Sequence, residues 1–88
     1  MEEKKTWQER LRDMQLQGLE SRLQSSKKSV EFWTAAEQRA REETSRYPQV
    51  QFEQANHRYI AVMKRHRKEA ESEVAYWESE IEKLRLAE

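Results

Sequence analysis

The chain has no cysteine, only one glycine and one proline, and no apolar run that approaches a membrane span. The missing cysteine excludes disulfides, thiolate nucleophiles and thiolate zinc sites. With a single glycine there is no Gly-rich loop to cradle a phosphate. No stretch alternates apolar with polar residues as a half-buried strand would, so sheets are excluded as well. An excess of one charge is also absent. Seventeen Lys plus Arg stand against seventeen Asp plus Glu, leaving no global field to draw the chain toward nucleic acid or acidic lipid. The opening MEEKKTWQER lacks the apolar stretch of a signal peptide. A soluble, intracellular and cytoplasmic protein is expected.

What is present favours helix. Glu, Gln, Lys, Arg, Leu and Ala abound, and 39% of the 88 residues are charged against 35% hydrophobic, which limits the chain to one small domain with little core. The expected fold class is all-α. In TWQE, Thr6 and Glu9 have the spacing of a capping box, in which each side chain accepts from the other's backbone amide. A helix therefore starts near Trp7, and residues 1–5 form a charged N-terminal arm. In SRYPQVQF, Pro48 lacks an amide donor and disfavours a helical Tyr47. Residues 6–88 thus read as a single helical domain, with a helix over about 7–46, a turn over about 47–49 and a helix over about 50–86.

Apolar periodicity supports that division. At roughly 100° per residue, Phe52, Tyr59, Ile60, Met63, Ala70, Val74, Trp77, Ile81 and Leu84 share one stripe of the second segment. Trp7, Leu11, Met14, Phe32, Ala36, Ala40 and Tyr47 share one stripe of the first, with Gly18, Ser25 and Ser29 along its middle. On one continuous helix the two stripes would lie roughly 160° apart. An antiparallel two-helix hairpin, coiled-coil-like, lets them meet. Symmetric pairing about the turn places Ala40 opposite Asn56, Ala36 opposite Ile60, Ser29 opposite Arg67, Gly18 opposite Trp77 and Leu11 opposite Leu84. The alternatives are a three-helix arrangement, broken in the weak helix formers between Gly18 and Ser29, and a kinked helix in a longer coiled coil.

Leu16, Leu19, Leu23 and Val30 fall outside the first stripe, about 140° or more around the helix. They form the candidate partner face, and two hairpins joined there would make a four-helix bundle with the core that one hairpin lacks. The run MKRHRKEA supplies a second candidate surface. Lys64, Arg65 and Lys68, joined across the hairpin by Lys27 and Lys28, form a basic band of candidate anion contacts, while Arg67 stretches over serines with its guanidinium in water. No catalytic, cofactor-binding or metal-binding residues are expected. His57 follows Glu53 by four residues with no further ligands converging, and His66 at the edge of the stripe reads as a packing residue. The three tryptophans follow helical spacing and read as core or interface anchors.

The expected function is therefore a non-enzymatic protein-protein interaction module, an adaptor, scaffold or inhibitor-like hairpin acting through apolar helix faces. Its partner is another protein or a second copy of the chain. The alternative is a nucleic-acid or polyanion binder using the basic waist, which a steep salt dependence of affinity would reveal.

Overall fold

The computed structural model contains two long helices packed along their length, α1 (Trp7–Arg46, 40 residues) and α2 (Val50–Leu86, 37 residues), and no strand among the described residues. The structure describes residues 6–46 and 50–87, without the side chains of 50–56. The arm expected at 1–5, the turn expected at 47–49, and the expected roles of Phe52, Glu53 and Asn56 lie outside the described residues.

The capping box forms as its spacing requires. The Glu9 amide donates to Thr6 Oγ1 at 3.2 Å, and the Thr6 amide donates to Glu9 Oε2 at 3.4 Å. From there α1 runs unbroken through Gly18–Ser29, which rules out the three-helix alternative. Gly and Ser weaken a helix by roughly 1 kcal/mol or less each, and apolar packing of the flanking residues overrides that.

Shielded positions follow a 3.5-residue repeat. On α1 the series is Leu16, Leu19, Leu23, Ser26, Val30, Trp33, Glu37, Ala40 and Thr44, and on α2 it is Ile60, Met63, Arg67, Ala70, Val74, Trp77, Ile81 and Leu84; Ser29, Ala36, His66 and Glu80, half-shielded, flank it, and Arg12 and Asp13 are half-shielded ahead of it. Alternating steps of three and four are the signature of a left-handed coiled coil, here antiparallel.

Three cross-helix contacts fix the register. The Arg22 guanidinium lies 5.1 Å from the Trp77 ring centroid, Ser26 Oγ donates to Glu73 Oε2 at 3.4 Å, and Trp33 stacks on His66 at 4.3 Å between centroids. In these three each step forward on α1 matches an equal step back on α2, while the long side chains of the Glu37–Arg67 and Glu20–Arg85 ion pairs reach across it diagonally. Continued along the seam, this register brings Leu16 level with Leu84, Leu23 with Trp77, Val30 with Ala70 and Ala40 with Ile60. The pairing expected from a symmetric turn, with Ser29 opposite Arg67 and Gly18 opposite Trp77, is therefore displaced by about one helical turn. Seam packing sets the register.

Two consequences shape the surface. Leu86 comes level with Met14, so the first two turns of α1 run roughly 10 Å beyond the end of α2. The core is also thin. Among the described residues Ala40, Ala70 and Ile81 are the buried hydrophobics, and no large side chain is fully buried. The molecule measures 71 × 22 × 13 Å, and its radius of gyration of 20.3 Å far exceeds the roughly 12 Å of a compact domain this long.

Candidate functional site

The seam is polar at its waist. Glu37 is 8% exposed, and its carboxylate accepts from Arg67 Nε at 2.6 Å and from Arg41 Nη2 at 2.9 Å. Arg67 also donates through Nη1 to Glu71 Oε1 at 2.7 Å. Those two guanidinium groups hold the Glu37 carboxyl below its ordinary value, the hydrogen bond from Arg41 contributing most and that from Arg67 next. In return, hydrogen bonds to Glu37 and then Glu71 push Arg67 still higher. The expectation that Arg67 keeps its guanidinium in water is thus corrected: at a heptad core position it reaches the carboxylate that the partner helix brings alongside. One step along, the Trp33 ring lies nearly parallel to His66, at 18°, and meets Phe32 edge-on at 4.9 Å. His66 is a packing residue, as its place beside the apolar stripe suggests.

Leu16, Leu19, Leu23 and Val30 are not on an outer face. Leu19 shares a crevice with Leu84 on one side of the seam, and Leu23 shares one with Ile81 on the other. Conversely, the stripe expected to face α2 points outward over much of its length: Trp7 is 76% exposed, Met14 68%, Phe32 58% and Leu11 44%. The seam repeats every 3.5 residues, whereas a straight helix turns every 3.6, which rotates the buried face by about 20° per heptad, or about 60° from Leu16 to Glu37. That drift covers less than half of the angle between the two faces; the rest of the misreading comes from Ser26 and Glu37, polar seam residues that an apolar count passes over. Ala36 and Ala40 lie where the drifting seam meets the straight stripe, so they are shielded on either reading.

The candidate anion contacts are all exposed, yet they do not form one band. Lys64, Arg65 and Lys68 line a shallow depression on α2 together with Glu69. Lys27 and Lys28 lie on α1, and Lys28 and Arg65 occupy the outermost positions of opposite helices, pointing away from each other. By the observed register Glu31 and Glu71 stand between Lys27 and the α2 lysines, so the expected basic band is interrupted. Arg22, further along α1, is drawn over Trp77.

The Glu37–Arg67 pair escapes a reading by hydrophobicity because both residues are charged. A 3.5-residue repeat counted irrespective of polarity would have found it, since both fall in phase with the leucines. Among the described residues no group of three His, Asp or Glu side chains could hold a metal ion, and no helix is long and apolar enough to cross a membrane. Neither a protein-family model nor a curated protein nor a solved structure matches this chain.

Proposed function

We propose that this chain is a non-enzymatic protein-protein interaction module that binds through the outer face of α1. One observation carries the reading. Trp7, Leu11, Met14 and Phe32 leave 44–76% of their surface in water along a single stripe of the helix, on a protein whose own seam has no place for them. Large aromatic and thioether side chains of this kind serve as interface anchors once a partner excludes water from them. The remaining exposed surface of α1 is charged and polar, as the rim of such an interface is. The polyanion reading has weaker support, because its five cations are spread over two helices and interleaved with carboxylates.

Photo-crosslinking tests the proposal. A benzophenone side chain placed at Phe32, on the outer stripe, or at Tyr76, on the outer side of α2, reports what each face touches in the cells that produce the chain. Protein adducts are expected at Phe32, competed by the unlabelled chain but not by a Trp7→Asp, Met14→Asp double variant. Adducts confined to Tyr76, or equal competition by the double variant, would overturn the assignment of the face.

A further inference from the structure

We infer that the occupant of the outer α1 face is a second copy of this chain, bound antiparallel about a two-fold axis that crosses α1 near Gly18 and Ser21. This deepens the interaction reading above and rests on it. The outer stripe has its own internal order: large residues at its ends, Trp7 and Met14 on one side and Phe32 on the other, with Gly18, Ser21 and Ser25 between them. A stripe so arranged is complementary to itself when reversed, as a two-fold interface requires. With the axis between residues 19 and 20, Trp7 comes level with the partner's Phe32, Met14 with the partner's Ser25 and Gly18 with the partner's Ser21. Leu11 then meets the aliphatic stem of the partner's Lys28, whose ammonium reaches past it to water.

Charge supports the same alignment independently. Arg10 and Glu31 flank the stripe on one side, and no ion pair joins either to another described residue. In the reversed copy Arg10 comes beside the partner's Glu31 and Glu31 beside the partner's Arg10, giving two equivalent opposite-charge pairs. In a parallel copy the two flanks would fall on opposite edges of the interface and neither pair would form. Antiparallel pairing is thus favoured by two attractions that the parallel arrangement lacks.

Gly18 adds a third observation. A side chain built there meets nothing within 4 Å in its own hairpin, so neither the seam nor a turn accounts for the glycine. At the crossing point of two helices its bare backbone lets the axes approach.

Sedimentation equilibrium on the full chain, read together with circular dichroism, tests the inference. A reversible dimer is expected. Arg10→Glu and Glu31→Arg should each raise its dissociation constant about five- to tenfold, and the double reversal should restore it. Gly18→Leu should raise the thermal midpoint of the dilute chain while weakening the dimer at least tenfold, opposite effects that a purely structural glycine would not produce. A monomer at all concentrations, an unrescued double reversal, or a dimer indifferent to Gly18→Leu would overturn it. If the chain is monomeric and benzophenone at Phe32 still captures another protein, the second copy is wrong and the interaction face stands. If neither occurs, both fall.

Discussion

At the scale of single residues, Glu37 shows how a charge survives in a coiled-coil seam. Two guanidinium groups replace the water it loses and keep it ionised below the ordinary carboxylate value of 4.5. Because its native pKa is lower than its unfolded one, its stabilising contribution is complete above about pH 4.5 and is lost as pH falls through the depressed native value. Glu37→Gln should therefore melt below the parent chain at pH 7, with the difference shrinking steadily toward pH 3. A gap in melting temperature that stays constant with pH would mean the ion pair contributes nothing beyond shape. The contact at Glu37 Oε2 could be anticipated from no local motif, because Arg67 comes from thirty residues away along the chain, whereas Arg41 at Oε1 is four residues on in the same helix. Thr6, by contrast, was legible at once: its partner Glu9 is three residues on, so spacing alone determines the geometry. Thr6→Ala should cost about 1 kcal/mol, measured as the loss in unfolding free energy by urea titration, with the deficit confined to the first turn of α1.

At the scale of the helices, the extents of both elements were readable because helix propensity accumulates over long stretches. The buried face of α2 was readable too, apart from Tyr59, which lies at the edge of the expected stripe and is 50% exposed, since Ile60, Met63, Ala70, Val74, Trp77, Ile81 and Leu84 satisfy both the 3.5 and the 3.6 repeat over that length. The face of α1 was not. Its true seam contains Ser26 and Glu37, polar residues that dilute the apolar signal, while Trp7, Met14 and Phe32 strengthen the rival stripe. Seating Leu19 and Leu23 against α2 carries a direct test. Changing both to Glu should abolish cooperative unfolding and most of the helicity at 25 °C, because each buries apolar surface worth roughly 2 kcal/mol that a carboxylate cannot replace, in a domain with only a few kcal/mol in reserve. Retained helicity with a normal melting transition would return those leucines to an outer face.

For the molecule as a whole, a seam whose buried hydrophobics among the described residues are two alanines and one isoleucine leaves little margin for an isolated hairpin. Association and folding are then linked, since whatever covers Trp7, Met14 and Phe32 binds only the folded chain. The melting temperature should climb with protein concentration between about 1 and 100 μM, and this dependence should vanish in a Trp7→Asp, Met14→Asp chain. A concentration-independent midpoint in the parent chain would show that the hairpin stands alone. The long axis of 71 Å, more than five times the 13 Å of the shortest, has a further effect on how any such experiment reads. A rod drags more solvent than a sphere of equal mass and is excluded from more of the pores of a gel. A lone hairpin will therefore elute from a sizing column ahead of globular standards of its mass and tumble anisotropically, broadening the amide resonances of residues whose N–H vectors lie along the rod. Elution volume would report a dimer where there is none, whereas light scattering, which weighs the particle regardless of its outline, would not.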